Sequence, residues 1–177
     1  GLAYGAVTRP ETKAGNFRVY KAIKEVHEVE NTSDLPSDFL RVEFKTRMID
    51  EKTLRGRFHR ESWPAGENYQ KIQFEDDQIR VTRLVCAPGK RLDVLAGASG
   101  PSLLIALSPA RLSVIEPKGK ASKLDLSLGQ TGWQSAGKQA RLESPGSAPA
   151  ELLRFEFKTG PADPPDGTPR AHDHPHE

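Results

Sequence analysis

The sequence predicts an all-β fold, a thin sandwich or barrel built from short strands. Hydrophobic residues alternate with a period of two rather than 3.6, and Gly/Pro turn signals interrupt them at short intervals. The composition agrees: 36% of the residues are hydrophobic and 28% are charged, too little apolar material for a thick α/β core. At 177 residues the chain fits one domain, or one domain and part of a second.

Lys21 to Glu30 carries Ile23, Val26 and charges spaced three and four apart, which a helix would accept. It is read as strand because of the repeat described below. From Asp38 to Thr46, Leu40, Val42 and Phe44 alternate with Arg41, Glu43 and Lys45, the pattern of a half-buried strand with a charged outer row. Val81 to Cys86 is an apolar run, so Cys86 is expected to be a packed strand residue with an inert thiol, and as the sole cysteine it forms no internal disulfide. Ser102 to Leu107 suits a strand covered on both faces. Lys123 to Leu128 alternates again through Leu124, Leu126 and Leu128. Turns are expected at Pro88-Gly89, Ala98 to Pro101, Pro117 to Gly119, Gly129 to Gly132 and Ser144 to Pro149.

Glu25 to Thr46 and Lys138 to Thr159 align without gaps and share eight identities in 22 positions, six of them in the last seven. Each copy has a proline before its ending, Pro36 or Pro149, and then Leu-Arg-(Val or Phe)-Glu-Phe-Lys-Thr. One supersecondary unit is thus expected twice, 113 residues apart. The two Arg-Glu-Lys rows, Arg41, Glu43, Lys45 and Arg154, Glu156, Lys158, read as solvated strand faces with cross-strand ion pairs. The stretch from Gly160 to Glu177 holds five prolines and is expected to be disordered.

Several function classes are disfavoured at once. The 26 basic and 24 acidic residues are interleaved, without the cationic stripe of a nucleic-acid binder. No apolar run approaches the ~20 residues of a membrane helix. The first residue is Gly1 with no signal peptide, which suggests a processed start; the expected location is soluble, either cytoplasmic or exported after processing. No nucleophile constellation or phosphate-binding loop is visible, and Gly97 to Gly100 reads as a hairpin turn.

From about Gln73 to Thr159 the chain resembles the cupin family, whose barrel is a double-stranded β-helix. The second cupin motif, Gly, five residues, Pro-X-Gly, two residues, His, three residues, Asn, can be laid on Gly129, Ser135, Gly137, Ala140 and Ser144. The first motif, counted from Gly89, puts its His-X-His on Leu95, Ala96 and Gly97 and its Glu on Pro101 or Ser102. The resemblance implies a jelly-roll barrel over residues 47–159, with extra N-terminal strands over 1–46 and the tail over 160–177. It also implies that all four usual metal ligands are replaced by side chains without strong donor atoms. In the first copy His27 and Asn31 reproduce the His-X3-Asn end of the second motif, with Gly15 upstream, so residues 1–46 look like the closing strands of an upstream cupin half.

The pocket implied by the resemblance is bordered by Leu95, Gly97, Ser102 and Ala140. Trp133 would add an aromatic wall, and Arg83, in phase with Val81 and Val85, a cation. Such a pocket suits a small organic anion, or collapses into core with Trp133 as filler. His27 and His59 read as ordinary strand or loop residues, whereas His172, His174 and His176 form a weak chelating set in the tail. The expectation is therefore a metal-free cupin-like module with no cofactor, which binds a small ligand or has a structural role. It is expected to form a homodimer by strand addition of residues 15–46, because bare strand edges are seldom tolerated. The alternative is a metal-dependent cupin enzyme of isomerase or dioxygenase type with ligands from His27 or the tail. A further alternative is the inactive half of a two-barrel protein.

Overall fold

The computed structural model describes residues 15–18, 30–31, 33–42, 57–58, 62–94, 100–136 and 141–160. Among these residues there is no helix, and so none long and apolar enough to cross a membrane. Eleven strands are present among them: β1 (Phe17–Arg18), β2 (Arg57–Phe58), β3 (Tyr69–Glu75), β4 (Ile79–Cys86), β5 (Arg91–Asp93), β6 (Ser102–Ala106), β7 (Ala110–Ile115), β8 (Ala121–Leu126), β9 (Thr131–Gln134), β10 (Arg141–Glu143) and β11 (Ala150–Phe157).

The pairing from β4 onward is nested: β4 with β11, β5 with β10, β6 with β9, and β7 with β8, all antiparallel. This is one long hairpin folded over on itself. Two further pairings, β11 with β6 and β10 with β7, turn the wrapped hairpin into a five-stranded sheet, β3-β4-β11-β6-β9, and a four-stranded sheet, β5-β10-β7-β8. A wound hairpin of eight strands in two sheets is the jelly-roll, or double-stranded β-helix, architecture. The all-β jelly roll expected from the sequence is thus the fold.

Between the sheets lies the main core: Leu84 and Cys86 from β4, Leu92 and Leu142 from β5 and β10, Leu112, Val114 and Leu126 from β7 and β8, and Leu152 from β11. Burying each Leu contributes about 1.5–3 kcal/mol. Alternation then sends Ile79, Val81, Leu153 and Phe155 to the opposite side of the five-stranded sheet, where they form a second core with Phe74 and Ile105. Phe17 and Val42 pack on this outer layer, and the Phe17 ring meets Phe155 edge-on at 6.4 Å. Two-sided burial explains why β4, β6 and β11 read as nearly continuous apolar runs.

Three local features fix the geometry. Gly89 has φ +66°, which the β4–β5 turn requires, and its amide donates to the Ser144 carbonyl at 2.8 Å. Gly100 is needed for space instead, because a Cβ there would stand 1.8 Å from the Phe157 carbonyl oxygen. In β3 the ladder with β4 runs Ile72 to Thr82 and then Phe74 to Val81, so Gln73 is an extra, bulged residue.

Some sequence expectations change. Residues 38–42 lie outside any strand, with Phe39 and Leu40 exposed and Val42 packed on the outer core; the rest of the expected strand, residues 43–46, lies outside the described residues. The matching ending from Leu153 is strand and is buried on both faces rather than one, with β4 and β6 on its two edges. Leu128 falls past the end of β8 and is exposed. Lys21 to Val29, Leu95 to Ser99 and the tail from Pro161 lie outside the described residues.

Candidate functional site at the polar end of the barrel

The inner face of the five-stranded sheet is apolar at Leu84, Ala106 and Leu152, and then changes character. Toward the end of the barrel where the chain leaves β5 for β6 and β9 for β10, the same alternation presents Arg80, Thr82, Ser102, Gln134, Arg154 and Glu156. Their registers are Thr82 opposite Arg154, Arg80 and Ser102 on either side of Glu156, and Ser102 opposite Gln134. Six polar side chains are thereby gathered on the inner face of four neighbouring strands.

Arg154 anchors the group. Its Nε donates to Ser102 Oγ at 3.3 Å, and Ser102 Oγ donates to Gln134 Oε1 at 3.2 Å. Its Nη2 stands 3.2 Å from Glu156 Oε1 in an ion pair that lacks hydrogen-bond alignment, since that buried oxygen has no hydrogen-bond partner. Burial pushes the Arg154 pKa down, against the charge of Glu156 and with that of Arg80. At the rim Arg80 and Lys158 share one oxygen of Glu75, at 2.7 and 2.6 Å. These hydrogen bonds bring the Glu75 carboxyl down to about 2.

Of the residues expected to border the pocket, Ser102 is on the inner face and buried. Leu95, Gly97 and Ala140 lie outside the described residues, as do His27, His59, His172, His174 and His176. Arg83 and Trp133 face the other way. Arg83 keeps phase with Val81 and Val85, but that phase is the outer one. There it is 0% exposed, with Nε on Gln73 Oε1 at 2.8 Å, Nη1 on Glu151 Oε1 at 2.6 Å and Nη2 on the Gly15 carbonyl. Trp133 pairs with Leu103 on the outer face, is 62% exposed, and stacks obliquely on Phe157 at 5.7 Å. It is neither pocket wall nor core filler.

Sequence reasoning missed Arg154 and Glu156, assigning them to a solvated row. Both are buried, and the available signal was position: Arg-Phe-Glu sits within the apolar run of the last strand, which pairs on both edges. Cys86 is buried as expected, and burial raises its thiol pKa. A separate open cleft of about 230 Å³, lined by Lys90, Arg91, Ser113 and Glu143, lies away from this end; its cations are already paired, Lys90 with Glu67 at 2.7 Å and Arg91 with Glu143.

Among the described residues at this end, the donor set does not fit a divalent ion. The two carboxylates at this end, Glu75 and Glu156, each face a cation, and the hydroxyls and amide beside them are weak ligands. Among the described residues no group of three or more His, Cys, Asp or Glu comes together.

Fold and site together define a jelly-roll protein whose barrel end is lined by hydrogen-bonding and charged side chains. Cupin double-stranded β-helix proteins recur among the solved structures similar to it. A cupin domain from Bordetella pertussis is 15% identical, with 55% of this chain and 100% of that chain covered and a TM-score of 0.46. A Klebsiella pneumoniae protein with a double-stranded β-helix domain is 14% identical, covering 57% and 85%, with a TM-score of 0.46. An RmlC-like cupin family protein from Methanocaldococcus jannaschii is 8% identical, covering 55% and 86%, with a TM-score of 0.44. No family model matches the sequence, and no curated protein matches it either.

Proposed function

We propose that the protein is a metal-independent binding module that takes a small organic anion at the polar end of its barrel. The observation that carries this reading is Arg154, a guanidinium on the inner face of a central strand with a side chain 8% exposed. A desolvated cation is costly to keep inside a barrel, and burial opposes its charge here. Glu156 answers part of that charge at 3.2 Å, and an anionic ligand would add to it. Ser102 and Gln134, hydrogen-bonded in a chain to Arg154, would orient it.

Calorimetric titration of the full chain with a panel of small mono- and dicarboxylates at low salt tests the reading. Saturable binding that Arg154→Met abolishes, with the fold retained by circular dichroism, supports it. Absence of binding to every member of the panel refutes it. Elemental analysis addresses the metal-dependent alternative: stoichiometric metal persisting after His172, His174 and His176 are all changed to Ala would favour that alternative.

A second reading, self-association, is favoured by β9. This strand closes one edge of the five-stranded sheet and carries no charge or proline across Thr131 to Gln134, while Trp133 stands largely in solvent beside it. An antiparallel β9–β9 pairing about a two-fold axis would cover both copies of Trp133. Sedimentation of the wild type and of Trp133→Lys tests it: a dimer that the substitution dissociates supports the pairing, and a monomeric wild type at high concentration removes it.

A further inference from the structure

The proposed anion site, on which this inference rests, holds a buried carboxylate beside Arg154. Glu156 is 1% exposed, and its Oε1 has no hydrogen-bond partner although Arg154 lies within ion-pair distance. A buried carboxylate oxygen that no donor addresses in line is uncommon in folded proteins and keeps acceptor capacity for a further group. Glu156 is also central, since Arg80 and Ser102 are its register partners on the two flanking strands.

We infer that Glu156 is a specificity-determining residue that accepts a hydrogen bond from a hydroxyl of the ligand while Arg154 faces the adjoining carboxylate, so that the ligand class is a small 2-hydroxy carboxylate. The two protein groups are neighbours, an acceptor and a cation 3.2 Å apart. A hydroxyl on the carbon next to a carboxylate offers the complementary donor and anion at matching closeness. Charge favours a hydroxyl over an ammonium as that donor. Arg80 and Lys158 stand at the rim and Arg154 beside the proposed ligand, and an ammonium would bring a further cation up to these three.

The test compares matched acids on the full chain by calorimetry: lactate against propionate, malate against succinate, and alanine as the amino counterpart of lactate. The wild type is expected to prefer each hydroxy acid over its deoxy partner by at least ~10-fold, the effect of leaving a buried acceptor unpaired, and to bind alanine more weakly than lactate. Glu156→Met should reduce the preference to about 2-fold or less while carboxylate binding persists; Glu156→Gln, which keeps an acceptor oxygen, should retain part of it. If Glu156→Met fails to fold, the wild-type comparison still decides. Equal binding of hydroxy and deoxy acids overturns the inference about Glu156 and leaves the anion site standing. Tighter binding of alanine than lactate overturns the hydroxyl assignment. Binding of none of the acids overturns both.

Discussion

Arg83 Nη1 and Glu151 Oε1 are 2.6 Å apart on neighbouring strands, in a layer that water does not reach. With Gln73 on Nε and the Gly15 carbonyl on Nη2, all three directions of the guanidinium fork are used. This cation joins the N-terminal segment to the outer side of the barrel. Removing one partner leaves the other as an uncompensated buried charge, so Arg83→Met and Glu151→Met should each lower stability by about 3–5 kcal/mol. The double variant should recover most of that loss in urea unfolding. Additive losses would show that the two side chains act independently.

Gly100→Ala tests close packing at the far end of β11, beside Phe157. Its Cβ would be driven into a backbone carbonyl that no rotamer change can move aside. Overpacking of a well-packed core typically costs about 1–3 kcal/mol, and a backbone obstacle belongs at or above the top of that range. The midpoint of urea denaturation reads the effect, and an unchanged midpoint would contradict the contact.

Acid should weaken the fold partly through Glu75. Its carboxyl is held at about 2 against an ordinary 4.5, chiefly by hydrogen bonds from Arg80 and Lys158. Because the folded value is the lower one, this contribution is complete above pH 4.5 and is lost as the pH falls toward 2. Glu75→Gln should flatten the fall in melting temperature across that window without altering the curve near neutrality. A parallel decline in wild type and variant would remove Glu75 from the account.

Cys86 should react slowly with a disulfide reagent in the native state and fully after denaturation. Burial raises its pKa from 9.0, and the Sγ lies 3.5 Å from the Lys90 carbonyl and 3.7 Å from that of Leu142. Little thiolate is therefore present at neutral pH. Native labelling at the rate of an exposed thiol would mean that the β4 end opens.

The continuous apolar run was sufficient for strands such as Ser102–Ala106, where it matches burial on both faces. Position within the sheets was not readable. Whether Arg83 or Arg154 points between the sheets depends on which face of β4 and β11 meets the four-stranded sheet, and strand phase is the same for either choice. The two near-identical endings make the point in one chain. Leu-Arg-Phe-Glu-Phe is buried as β11 between β4 and β6, whereas in the described part of its counterpart Leu40 is exposed. Glu156 could not have been singled out without the pairing that encloses it.

The bulge at Gln73 interrupts a ladder whose remaining partners continue in step, Ile72 with Thr82 and Phe74 with Val81. Excising that one residue would leave the other pairings of β3 in register and each neighbouring side chain on its present face. What would vanish is the amide oxygen facing the Arg83 Nε. At this point in the chain an additional peptide unit supplies chemistry rather than shape: a surplus residue serves as a hydrogen-bond acceptor for a cation sealed inside the protein.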